Sequence, residues 1–124
     1  MRSRQEDPVS PKASSNLYGN LDLLVLRTVE LEGPLHGLAA MEAILERSGG
    51  RIEVEDGALY RSLHRLEARG FLATEWRTSS KNRRAKFYAL TEAGERELDR
   101  AKREWEHHTQ AVGRILGLRW ELGP

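Results

Sequence analysis

Apolar residues recur at two spacings along this 124-residue chain, and the switches between them outline its elements. From Asn20 to Leu31, positions Leu21, Leu24, Val25 and Thr28 follow the i, i+3, i+4, i+7 rhythm of one helical face, and Leu23 and Leu26 supply a second. A helix apolar on two faces needs two partners, here the chain's own core and a second subunit. Gly33-Pro34 breaks it. A second helix is predicted from His36 to about Arg47, with Leu38, Met41, Ile44 and Leu45 as its buried stripe, stopped by Ser48-Gly49-Gly50. Arg51 to Val54 is a short extended piece, a candidate third strand for a later hairpin. A third helix begins near Glu55 or Asp56, whose carboxylates suit the positive end of a helix dipole. Leu59, Leu63 and Leu66 make its inward face, and Gly70 ends it.

Beyond Gly70 the period falls to two. Phe71 to Arg77 reads as a strand, Thr78 to Asn82 as a polar turn, and Arg83 to Leu90 as the return strand. On that return strand Arg84, Lys86 and Tyr88 face one way, and Ala85, Phe87 and Ala89 the other. The small apolar side is expected to pack on the helices, leaving the basic side outward. Thr91 is a good N-cap for a last helix reaching about Leu118. Its apolar pattern is sevenfold, with Leu98, Trp105 and Val112 in one row and Ala101, His108 and Ile115 in the other. That is the spacing of a helix that pairs with another helix. A chain this small has little left to cover such a seam, so a homodimer is expected. His108 at a core-type position and Gly113, which costs on the order of 1 kcal/mol of helix propensity, argue against a long zipper and leave a helix exchanged between subunits open. Residues 1–16 are polar, contain Pro8 and Pro11, show no period, and are expected to form a disordered arm.

Composition narrows the class. With 39% hydrophobic and 31% charged residues, the chain suits one soluble, helix-rich domain. The absence of cysteine excludes disulfides, thiolate metal sites and cysteine nucleophiles. No apolar run reaches membrane-spanning length and the start lacks a hydrophobic signal core, so the expected location is the cytoplasm. No nucleophile elbow, phosphate loop, metal-ligand cluster or pair of catalytic carboxylates can be read, so neither an enzyme, a cofactor nor a metal is expected. His107 and His108 are adjacent, point to different sides of a helix and make a poor metal pair.

The net charge of +1 conceals an asymmetry. Trp76 to Thr91 holds five basic residues, Arg77, Lys81, Arg83, Arg84 and Lys86, and no acidic one, which leaves −4 for the rest. Such a basic stretch is the electrostatic footprint of a nucleic-acid contact, although a short charge run alone fits a solvated hairpin equally well. The preceding helix adds Arg61, Arg65 and Arg69 at every fourth residue, with Ser62 beside them. A basic row opposite a leucine stripe fits insertion into a major groove; the alternative is a solvated face with Arg65 and Arg69 paired to acids such as Glu67. Because helix and ribbon are contiguous, both can engage one duplex. Trp105 has two readings as well, packing within the seam or a flat wall for a planar ligand.

The stretches GPLHG (Gly33 to Gly37), GALYRSLHRLEARGFL (Gly57 to Leu72), RRAKFYALTEAG (Arg83 to Gly94) and REWE (Arg103 to Glu106) resemble the PadR family of bacterial transcriptional regulators, in the small subgroup with a single C-terminal helix. The resemblance covers roughly Leu17 to Leu116. It implies a mainly α fold with a small β-ribbon (α+β): a winged helix-turn-helix over residues 17–90 and a dimerisation helix over residues 91–120. It further implies DNA-facing positions at Tyr60, Arg61, Ser62 and Arg65, and a wing of Lys81, Arg83, Arg84 and Lys86. The implied function is that of a homodimeric repressor on a palindromic operator, released by a small planar effector at Trp105; the alternative is a winged-helix module that binds protein and not DNA. Two departures concern specificity. His36-Gly37-Leu38-Ala39 stands where such proteins usually have HGYE, and Leu59-Tyr60-Arg61 where they have LYP.

Overall fold

The computed structural model describes residues 15–78 and 80–118, with side chains from Asn20 onward. The expected arm lies outside the described residues, apart from Ser15 and Asn16, which already belong to the first helix. The order is α1 (Ser15–Glu32), α2 (Gly37–Arg47), α3 (Asp56–Ala68), β1 (Leu72–Thr78), β2 (Arg84–Leu90) and α4 (Glu92–Leu116). Helices α1 to α3 enclose the core, the β1–β2 hairpin extends from it as a wing, and α4 returns to α1. This is a winged helix-turn-helix.

The core forms where the three helices meet. Leu21, Val25, Leu26 and Val29 of α1 pack with Ala40 and Ile44 of α2 and with Ala58, Leu59, Leu63 and Leu66 of α3. Full burial of each large aliphatic side chain contributes about 1.5–3 kcal/mol. The chain's own core takes more of the two-faced first helix than the pattern implied, because Leu26 joins it fully and Leu23 in part. The hydroxyl of buried Thr28 donates to the Leu24 carbonyl at 2.7 Å, which satisfies it within the helix.

Two expectations are corrected here. The buried stripe of α2 is Gly37, Ala40 and Ile44, whereas Leu38 and Leu45 are exposed. Small residues let α2 approach its neighbours closely, and the larger leucines are turned outward. Arg51 to Val54 forms no third strand among the described residues. The Ser48 hydroxyl accepts from the Ile52 N–H at 2.9 Å and Val54 drops into the core, so the segment serves as a link. Leu35 fills the third-strand role instead, exchanging two backbone hydrogen bonds with Tyr88 at 3.1 and 2.9 Å.

Glycines enforce the two joints beside the wing. Gly70, with φ +82°, turns the chain from α3 into β1. Gly94 lies so close to the Phe71 carbonyl that a Cβ there would sit 2.2 Å from its oxygen. Thr91 fastens the same corner. Its hydroxyl accepts from the Gly94 N–H at 2.9 Å as the N-cap of α4 and donates to the Gly70 carbonyl at 2.8 Å.

Candidate nucleic-acid interface

The 100° step of a helix sorts the side chains of α3 into three sectors. Leu59, Ser62, Leu63 and Leu66 are inside. The outward sector carries Tyr60, Arg61, His64 and Ala68, all exposed. On the flanks, Arg65 leans to α1 and Glu67 to the wing, and each is tied to a neighbouring element.

Ser62 is corrected as a DNA-facing residue. It is 0% exposed, and its hydroxyl donates to Asp22 Oδ1 at 2.5 Å. Its place in the sequence beside arginines concealed an inward direction. Arg65 also meets Asp22, with Nη2 2.7 Å from Oδ1 and Nε 3.3 Å from Oδ2. The acid that holds Arg65 thus comes from α1 and not from its own helix, and the hydrogen bond from Arg65 to it holds the guanidinium more firmly protonated than usual. Arg69 instead lies over the Phe71 ring, 4.9 Å from its centroid. His64 is the outward residue that the every-fourth-arginine pattern passed over; its place midway between Tyr60 and Ala68 on the wheel was the available signal.

Tyr60 is 42% exposed and rests on the start of α2. A Cβ at Gly37 would fall 2.6 Å from its ring and hydroxyl, so the glycine of the GPLHG stretch makes room for this tyrosine. His36 caps α2, its Nδ1 accepting from the Ala39 N–H at 3.3 Å, and meets the Phe87 ring edge-on at 5.5 Å. A cleft of about 590 Å³ opens between α2, Tyr60 and the hairpin, and Trp76, Arg84 and Lys86 line its wing side.

The hairpin is in register from Leu72↔Leu90 to Thr78↔Arg84. Its facing is the reverse of that expected from charge. Tyr88, placed outward with the basic side, is 2% exposed and belongs to the core. Lys86 reaches α3 and donates to Glu67 Oε1 at 3.0 Å, while Glu67 Oε2 accepts from Thr74 at 3.1 Å. Tyr88 joins the core and Leu90, on the same side, packs against it; together they gain more from burial than Phe87 between two alanines would, so bulk and not charge decided which side faces in. Lys86 follows Tyr88 inward and buttresses the wing. The Glu67 carboxyl is thereby held below its ordinary value, and the Lys86 ammonium above its own, chiefly through their shared hydrogen bond. Burial pushes the Tyr88 phenol up. Toward the tip, Lys81, Arg83 and Arg84 are exposed, and Arg84 lies over the Trp76 ring at 5.4 Å. Asn82 takes the left-handed φ of 60° at the turn.

The comparisons with known proteins bear directly on this outward helix face beside a basic, aromatic-braced hairpin. The model of the transcriptional regulator PadR-like family matches residues 23–100. The chain belongs to the PadR-like family of transcriptional regulators. A PadR family regulator from Eggerthella lenta is 33% identical, with 82% of this chain and 86% of that one covered and a TM-score of 0.68. A transcriptional regulator from Clostridium thermocellum superposes with a TM-score of 0.74 at 22% identity, covering 82% and 97% of the two chains. A PadR-like regulator from Bacillus cereus gives 0.70 at 22% identity, covering 83% and 97%. No curated protein matches the chain. The family consists of regulators and not enzymes. No helix among the described residues is long and apolar enough to cross a membrane.

In this PadR-like chain the last helix continues well past the core. Leu98 is 0% exposed, but Trp105 is 43% and Ile115 85% exposed, with Val112 and Leu116 also open. Trp105 stands over a groove of about 430 Å³ between α1 and α4, with Leu23, Leu26, Asp22 and Glu104 along its walls. The ring of His108 is tilted to it at 6.2 Å. Gly117, with φ +75°, caps the helix, and the Leu118 N–H returns to the Gly113 carbonyl at 2.9 Å.

Proposed function

We propose that this PadR-like regulator binds duplex DNA as a cytoplasmic homodimer and represses transcription until a small planar ligand releases it. The observation that carries the reading is the joint surface of α3 and the wing, fixed by the Lys86–Glu67 contact so that both meet the same stretch of duplex. Tyr60 and Arg61 enter the major groove and read base edges. Lys81, Arg83 and Arg84 follow the backbone or minor groove from the wing, and Lys86 holds the wing in place. The exposed Trp105, Val112 and Ile115 on α4 support pairing with a second copy. Two such units would address a palindromic site with half-sites about one helical turn, roughly 34 Å, apart. Trp105, with the groove beneath it, is the proposed wall for the effector.

Charge-neutral substitution of Arg83 and Arg84 is expected to weaken binding to all sequences alike and to flatten the salt dependence by about 0.9 per lost phosphate contact. Arg61→Gln is expected to change sequence preference. Unchanged affinity and salt slope in the wing variants would refute the wing assignment. For the effector, planar compounds should quench tryptophan fluorescence in the wild type and not in Trp105→Ala.

A further inference from the structure

Arg65 is held by a carboxylate from outside the reading surface. Asp22 projects from α1 and accepts three hydrogen bonds, two from the Arg65 guanidinium and one from Ser62. The two guanidinium bonds match the fork of arginine to the two oxygens of a carboxylate. Ser62 is completely buried, which anchors the acid at the α1–α3 crossing. Resting on the DNA-binding reading above, we infer that Asp22 is a positioning residue that withholds the charge of Arg65 from the phosphates and leaves base reading to Tyr60, Arg61 and His64.

Carboxylate and phosphate compete for the one guanidinium. A guanidinium already engaged by a carboxylate must give up that partner before it can neutralise a phosphate. A phosphate contact carries no sequence information, so it strengthens binding to every duplex. Holding Arg65 back therefore lowers affinity for random DNA while the outward residues of α3 keep their base contacts. Asp22 and Arg65 both remain partly open to solvent, where an ion pair contributes little to stability. The pair's effect on which DNA is bound thus exceeds its effect on folding.

The test compares wild type, Asp22→Asn, Arg65→Gln and the double variant on a random duplex and on the gene's own upstream DNA, between 50 and 200 mM salt. Asparagine keeps an oxygen to accept from Ser62 and removes the charge. Asp22→Asn should bind random DNA more tightly at low salt, with a slope steeper by about 0.9, so that its affinity falls about 3.5-fold more than that of wild type across this range. Arg65→Gln should keep the wild-type slope, and the double variant should follow Arg65→Gln. A wild-type slope in folded Asp22→Asn, or a loss of about 0.9 in Arg65→Gln, would overturn the inference; should Asp22→Asn fail to fold, Arg65→Gln alone decides. Failure of the wild type to bind any duplex would instead remove the DNA-binding reading itself.

Discussion

At the scale of the residue, close approaches govern this molecule more than charges do. Gly94 faces the Phe71 carbonyl across a gap that admits no side chain. Because the obstacle is backbone, it cannot swing away. Gly94→Ala is therefore expected to destabilise the fold by about 1–3 kcal/mol, the usual cost of overpacking, seen as a lower midpoint in urea at unchanged m-value. Gly94 was legible in the sequence as part of TEAG, but its reason was not, since the carbonyl it meets lies 23 positions earlier in the chain. Ser62 teaches the same lesson in reverse. Flanked by Arg61 and facing its own helix's arginine row on paper, it looked like a reader, yet its partner Asp22 is 40 residues away. Spacing along one helix assigns sectors; it does not reveal which neighbouring element covers a flank.

At the scale of the element, helix positions and the hairpin followed from periodicity to within a few residues at most ends, and Thr91 and Gly70 marked their boundaries correctly. The facing of β2 did not follow, because alternation gives two sides without naming the inner one. Charge suggested that Arg84, Lys86 and Tyr88 face out; the bulk of Tyr88 turned that side in. The resulting Lys86–Glu67 contact joins wing to helix, and it makes a pH prediction. The Glu67 carboxyl lies below its ordinary 4.5 in the folded protein, so the contact contributes stability above that pH and loses it as pH falls through the folded value. Wild type should exceed Glu67→Gln in thermal midpoint at pH 6, and the two should converge under more acidic conditions. A constant difference across the range would assign Glu67 a role other than its charge.

At the scale of the whole molecule, the proposed function gives α4 the task of pairing two reading surfaces. Its 25 residues span about 37 Å at 1.5 Å per residue, and its second half exposes Trp105 and Val112 from one heptad row and Ile115 from the other. The sevenfold pattern placed these residues in the sequence, but it did not separate Leu98, which the chain's own core buries, from the open residues beyond it. Replacing Val112 and Ile115 together by glutamate is expected to yield a folded monomer by sedimentation, with operator affinity reduced at least tenfold. A dimer that persists would move the subunit contact elsewhere.

The central claim is that two copies of the α3–wing surface read one operator. Its most direct test is a hydroxyl-radical footprint of the protein on the duplex upstream of its own gene. Two related protected segments about one helical turn, roughly 34 Å, apart are expected, weakening together as salt rises. Uniform cleavage along that duplex, at protein concentrations and low salt where even non-specific binding would register, would contradict it.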